Sequence, residues 1–565
     1  MKSFSLLLLT SFLIIFIQTS LSQDVENIAK EEPLTINGSL NIKLQSYSTD
    51  KAVPSRENFV WYLQGSPVVT LYGITLPFSF RLSEQQREFR QPFNKFGVSP
   101  YYKWVKLHLG YSSLSWSDYA LAGHSVSGVG FELTPGKFHV GFITGRLLKP
   151  VRYFEETEYI KVQNPAYKRT GSAFTIGYGD EKNNVHFVLL KAKDDSTSIG
   201  DVPGQYQLTP DENLVVSLST RQTIAKNFIF DCEIAQSLYT KDMGASAGSN
   251  TGFVAGTFSF LMDQRTSTRK SNAFKTSFGY QSDMLSMLLK YERVDPDYSS
   301  MGAYYFLTDM RNITFEPTVK LMDKKLTLAG SIGSQVDNLN NDKNLRTKRT
   351  IGSARVTYVP IPQYNVSMFY STYGLAQESG LLSIDTLRSS EVAQATNQFG
   401  ITQSLNLVGE KLAHNVMFNF NNQNLKDNNK NTAQYSEFST NVLMTGYFVN
   451  YLPATINGSL SYMSSKFEQD TLISVVKGPT LGLGKSFLKN KLTFGFTYST
   501  MNNILQKKSS GRINTTSIQL GYNPVRNHRF TIRYYSHNNN AKTGSGQANG
   551  SYYENKLDFD YTYTF

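Results

Sequence analysis

Cysteine is almost missing from this 565-residue chain: Cys232 stands alone, which excludes a disulfide framework and any multi-cysteine zinc or iron–sulfur centre. Long apolar runs are missing as well. Beyond the N-terminus no stretch approaches the roughly 18 consecutive apolar residues of a membrane-spanning helix, and a mean hydropathy of −0.32 shows no apolar excess. A helical membrane protein is therefore excluded. Tryptophan is scarce at 3 residues, yet 34 Tyr and 37 Phe lift the aromatic share to 13%, which excludes a disordered chain. The net charge of +12 is scattered along the sequence. With no compact basic block, nucleic-acid binding is not expected.

The N-terminus reads as an address. Lys2 supplies the positive start, Leu6 to Ile17 an apolar run interrupted by Thr10 and Ser11, and Ser20 and Ser22 the small-x-small pattern of a cleavage site before Gln23. Residues 1–22 are expected to be a signal peptide, and with no Cys at the cleavage site a lipoprotein anchor has no support.

At the other end, Leu557, Phe559, Tyr561, Tyr563 and Phe565 alternate with Asp558, Asp560, Thr562 and Thr564. A period of two over nine residues is a strand with one apolar and one polar face. This last strand resembles the C-terminal assembly signal of bacterial outer-membrane β-barrel proteins, in which alternate aromatics end in a terminal Phe. The resemblance covers the final strand and the signal peptide. It implies an outer-membrane barrel of a Gram-negative bacterium, porin-like and of Bacteroidota-like type, recognised by the barrel-assembly machinery through that strand and surrounded by outer-membrane lipid and lipopolysaccharide.

The same alternation recurs along the chain. Leu492, Phe494, Phe496 and Tyr498 share one face, as do Val416, Phe418 and Phe420, and Leu40, Ile42 and Leu44 near the start. A lipid-facing band around a wet lumen requires this pattern. Short turns are expected at 64–67, 98–103, 134–137, 180–184, 225–227, 281–284, 322–325, 360–363, 409–411, 451–453, 488–490 and 524–527, where Gly, Pro, Asn, Asp or a Lys-rich break reverses the chain. With a first strand at 34–46 and the last one, they predict an all-β fold: a single closed antiparallel barrel of about 26 strands, range 22–26, spanning 34–565. The stretch 252–262 is read as an extra strand or a folded loop. Residues 23–33 form a short periplasmic segment, too few for a globular plug. Long connections are expected outside, at 148–170, 195–211, 241–270, 295–310, 338–347, 374–396 and 539–550.

Alternation turns Lys43, Arg81, Lys106, Lys290, Lys320, Arg355 and Arg533 inward, against Glu292, Glu316, Asp558 and Asp560. The lumen is thus mildly basic, giving a weak anion preference unless these charges neutralise one another across strands. The segment holding Asp295, Asp297, Tyr298, Tyr304, Tyr305, Phe306 and Asp309 is too aromatic to stand in open water, so it is expected to fold inward as a constriction. A plain surface loop and a Ca²⁺ site on its carboxylates are the weaker readings. Tyr153, Phe154, Tyr159 and Tyr167 beside Glu155, Glu156 and Glu158 suit an interface girdle better than a sugar or peptide grip. Basic clusters at Arg265, Arg269 and Lys270, at Lys343, Arg346, Lys348 and Arg349, and at Lys507, Lys508 and Arg512 are placed on outer loops, solvated or facing lipopolysaccharide phosphates.

No chemistry-bearing motif survives inspection. Gly478 to Ser486 is one residue too long for a phosphate loop, and its glycines fit close backbone approaches in a strand. Gly123 to Ser127 lacks the final Gly of a nucleophile elbow. His108, His139 and His186 sit singly on different strands, and Cys232 shares the lipid face of Phe230 and Ile234, with Asp231 and Glu233 inward. No enzyme, metal or cofactor is expected. The leading expectation is a passive outer-membrane channel; the alternative is a barrel subunit of a larger protein secretion or assembly complex, its lumen occluded by loops or a partner. A lumen this wide must in any case be filled in part.

Overall fold

The computed structural model describes residues 33–83, 94–152, 165–200, 208–248, 252–303, 306–379, 393–410, 412–427, 437–451, 454–467, 472–542 and 550–565. Each strand pairs antiparallel with its sequence neighbours, and the last strand, Tyr552–Thr564, closes on the first, Ser39–Thr49, through Leu40↔Tyr563 and Leu44↔Phe559. The result is a closed antiparallel barrel of 26 strands, three of which are interrupted by a short break. Closure leaves no free edge, so the ladder satisfies the backbone groups of every strand.

Directly paired residues lie on the same face of a sheet, which fixes the inside of the whole barrel from one point. Glu292 meets Tyr119, a residue enclosed by the barrel, and the register carries its face through Asn312, Gln335, Arg349 and Leu375 to Gln394. The opposite face holds exposed Ile234, Leu328, Leu460 and Leu481.

Ten of the predicted reversals coincide with strand ends. The first two are displaced. Ser66 and Pro67 form a break inside a strand running from Phe59–Gly65 into Val68–Leu71, and the chain reverses at Tyr72 and Gly73, both at positive φ. The cause is local: Gly38, at φ 114°, lets Ser66 O approach to where a Cβ would stand, 2.3 Å away, and Pro67 has no N–H to give the ladder. Ser99 and Pro100 likewise interrupt a strand whose reversal falls at Lys103 (φ 52°) and Trp104. The strongest turn signals in both places mark breaks.

Strand length divides the barrel. Strands between Val105 and Asp337 run 10–14 residues, whereas Leu345–Ile361, Tyr364–Ser379, Ala393–Val408, Leu412–Asp427 and Leu472–Phe487 reach 16 or 17. Strands on both sides of that divide absorb much of what reads as loop. Arg346, Lys348 and Arg349 lie in Leu345–Ile361, Lys508 and Arg512 in Lys508–Tyr522, and Arg269 and Lys270 in Thr268–Gln281. Lys507 occupies a two-residue turn. Of those clusters only Arg265 and Lys343 stand in longer connections.

Three connecting segments pack on the wall. Residues 115–123, 295–303 and 306–309 enter the barrel, where Leu121–Ala122 and Gly302–Ala303 form a small parallel pair. The stretch 252–262 is no strand. It folds as a short helix, Phe253–Thr257, and a 3₁₀ turn, Ser259–Leu261, laid against the outer face, where Val254, Ala255 and Met262 cover Leu214, Val216 and Leu238 while Phe253 and Phe260 point away exposed.

Candidate functional site in the lumen

The lumen is built from two unlike walls. On the first, inward-facing Val188, Leu190, Ala192, Val215, Ala235, Ala273 and Val294 are small or branched and buried beneath Tyr119, Leu121, Tyr298 and Met301 of the entering segments. At about 1.5–3 kcal/mol for each large apolar side chain, this burial holds the segments in place. Hydrogen bonds set their register: Ser117 Oγ donates to Glu233 at 2.6 Å, Tyr119 Oη to Glu292 at 2.7 Å, Ser237 Oγ to Ser299 O at 2.6 Å and Tyr298 Oη to Tyr119 O at 3.1 Å. Asn213 accepts from Met301 N at 3.0 Å. Lys275 pairs with Asp118 and, at 3.0 Å, with Glu233. Burial, reinforced by Glu292, pushes the Tyr119 phenol far above its usual 10, and burial does the same to Tyr298.

The charged residues expected in the lumen are found mostly in cross-strand pairs. Lys290 meets Glu316 at 2.8 Å, Lys106 meets Glu132 at 3.5 Å, Lys43 meets Asp558 at 3.9 Å and Arg533 meets Asp560 at 3.5 Å. Arg81 donates to Gln64, and the Arg355 guanidinium lies 5.4 Å from the centre of the Phe369 ring. Lys320 stands on the same face, opposite Thr327. Lys290 and Glu292, with Arg221, Asp231, Glu233 and Lys275, line a cavity of about 1540 Å³ beside the entering segments.

The carboxylates of 295–309 do not converge. Asp295 accepts from Asn272 and Arg293, Asp297 pairs with Arg269 at 2.5 Å, and buried Asp309 takes Leu339 N at 2.8 Å together with Lys343. That contact holds the Lys343 ammonium above its ordinary range. Tyr298 packs edge-on against Tyr119 and Phe306, while Tyr304 and Tyr305 lie outside the described residues, as do Tyr153, Phe154 and Tyr159 with their neighbouring glutamates. Tyr167 donates to Leu208 O.

One cluster escapes a reading by sequence spacing. Four strands bring His108, Glu132, His139 and His186 together: His108 Nε2 lies 2.7 Å and His139 Nε2 3.4 Å from the two Glu132 oxygens, and His186 stacks edge-on against His139. Trp116 of the entering segment adds its Nε1–H to Glu132 at 3.4 Å. Among the described residues no group of three or more His, Cys, Asp or Glu is placed to hold a metal. The cluster's visible work is to seat Trp116, over Gly141 where a Cβ would strike the indole.

The second wall, strands 393–522, carries no charge on its inner face away from the loop-end rim, where Asp427 and Lys508 stand. Its paired rows read Ser404, Met417, Gly446, Ser459, Thr480 and Ser499, and beside them Asn406, Asn415, Phe448, Asn457, Gly482 and Thr497. Met417, Met444 and Met463 are open to the lumen. Lys466, Lys477 and Lys485 alternate to the outer face.

At the C-terminus, Leu557, Phe559, Tyr561, Tyr563 and Phe565 lie along the seam, with Phe530 stacked on Tyr561 and Phe565 N donating to Gly38 O at 3.0 Å.

No family profile matches the chain, and no curated protein matches it. Solved structures similar to it include OccAB2 and OccAB3 of Acinetobacter baumannii, at 10% and 13% identity, each covering 70% of this chain and 98% and 99% of their own, both with a TM-score of 0.31. The outer membrane protein opdK of Pseudomonas aeruginosa matches at 10% identity over 63% of this chain and 94% of its own, TM-score 0.30. At such scores the fold rests on the ladder of this chain alone.

Proposed function

We propose that the chain is an outer-membrane channel of a Gram-negative bacterium, exported by a signal peptide at 1–22, through which solutes diffuse along the uncovered wall of a partly filled barrel. A closed ladder with an apolar outer face and a polar inner one suits lipid outside and water inside. The observation that carries the channel reading is the asymmetry of the lumen: the entering segments pack on strands 105–337, and among the described residues the inner face of 393–522 stays open, with Met444 42% exposed where Ala235 is 1%. In this setting Phe253 and Phe260 meet lipid, and the last strand is offered to the assembly machinery.

The entering segments also motivate a second reading, a barrel subunit of a larger secretion or assembly complex whose lumen is occluded. Conductance in planar bilayers separates the two. Steady open-pore current from the purified full chain supports the channel; silence together with stoichiometric co-purifying subunits supports the complex. The barrel itself is tested by gel mobility, since a closed barrel migrates differently before and after boiling.

A further inference from the structure

On the open wall, below the Phe438 and Phe467 pair at its loop end, Phe448 is the one inward-facing aromatic among the described residues. Phe448 is paired directly with Asn415 on one side and Asn457 on the other, so the three side chains stand in a row across three strands on the inner face. The ring lies over Gly446, whose Cβ would come within 3.1 Å of it, and Asn457 lies over Gly482, whose Cβ would fall 2.2 Å from its amide oxygen. Two glycines thus leave room for the ring and an amide to lie along the wall. Asn415 is braced in turn by a hydrogen bond to Asn406. No charged side chain shares these rows among strands 393–522.

We propose that Phe448, Asn415 and Asn457 form a docking platform for neutral saccharides within the lumen. A sugar ring presents C–H groups on its faces and hydroxyls at its rim. An aromatic face takes the first, and amides, each able to donate and accept, take the second. The absence of fixed charge matters as much: a charged wall would hold counter-ions and favour ionic solutes, whereas this wall exchanges hydrogen bonds with an uncharged one at little electrostatic cost. Exposed Met417 and Met444 beside the platform supply adaptable apolar contact, suited to rings of varied stereochemistry. The inference rests on the channel reading and names the class of solute it passes.

The test uses the full chain in planar bilayers with maltotriose as the neutral probe and trigalacturonate as its anionic counterpart. Maltotriose is expected to lower the current saturably, and trigalacturonate to do so far less. Phe448→Leu and Asn457→Leu are each expected to weaken the maltotriose effect about tenfold, equivalent to roughly 1.4 kcal/mol, with heat-modifiable gel mobility kept as the check that the barrel still closes. Normal conductance with no response to maltotriose, or an undiminished response in both variants, overturns the platform. A parent chain that conducts nothing overturns the channel reading instead.

Discussion

The two walls of this barrel share one ladder and one alternation, yet their inner faces are different materials. Between Val105 and Asp337 the inward positions beneath the entering segments are buried and hold small or branched residues with carboxylates at intervals: Leu190, Val215, Ala235 and Val294, with Glu233 and Glu292 between. Between Ala393 and Tyr522 most inward positions are at least half-open and hold mainly Asn, Ser, Thr, Gly and Met, with Phe448 among them. A closed sheet therefore does not impose one environment on its interior. Whatever packs against an inner face decides whether that face is core or open lining, and here connecting segments turn part of the lumen into a core.

The largest effect should come from undoing that core. With Leu121→Asp and Met301→Asp together, two unpaired charges would enter a buried cluster at a cost of roughly 3–5 kcal/mol each, so the segments should leave the wall. Single-channel conductance is expected to rise about twofold or more as the lumen widens, with heat-modifiable mobility intact; unchanged conductance would show that the segments do not restrict the path. Tyr119→Phe is a milder break. It takes one donor from Glu292, a hydrogen bond to a charged group worth about 1.5–3 kcal/mol, and amide exchange across 117–123 should quicken about tenfold or more.

Alkaline pH should probe the same contact without mutation. The phenol of Tyr119 binds its proton more tightly in place than when displaced, where it titrates near 10. The packed state therefore keeps its full advantage below pH 10 and loses about 1.4 kcal/mol for each further unit. Exchange in this segment should accelerate from pH 10 to 11 in the parent chain, and Tyr119→Phe should remove part of that acceleration, Tyr298 supplying the rest. The smallest effect is expected at the rim: Lys343→Ala removes an exposed cation from Asp309, which keeps Leu339 N, so thermal stability should shift by less than about 1 kcal/mol and conductance should not change.

Much of the barrel was legible in the sequence because lipid and water impose a period of two that survives any loop. The strand count and ten reversals follow from it. The two displaced reversals were not legible, because Gly65-Ser66-Pro67 and Ser99-Pro100 carry the composition of a turn, and only the approach of Gly38 and the register of neighbouring strands show them to be breaks. The entry of 115–123 was hidden for another reason: Tyr119, Ala120 and Leu121 are unremarkable in composition, and much of what buries them, such as Val215, Ala235, Val294 and Met301, comes from far along the chain. Glu132 and its histidines were likewise scattered over four strands. The uncharged wall was written in the sequence throughout, but as a lack, and a search for charged residues passes over it.

The seam has a consequence for how the molecule comes into being. The bond from Asn41 to Thr562 joins residues 521 apart, so the first strand finds its second partner only when the final residues have been made. Until then two unsatisfied edges exist at once, each a template for aggregation. The loop-closure entropy grows only logarithmically with length and is no great obstacle, whereas contacts of such separation make folding slow. A barrel with this seam closes only once Tyr552–Thr564 has reached Ser39–Thr49, and until that meeting both strands need protection from other partners.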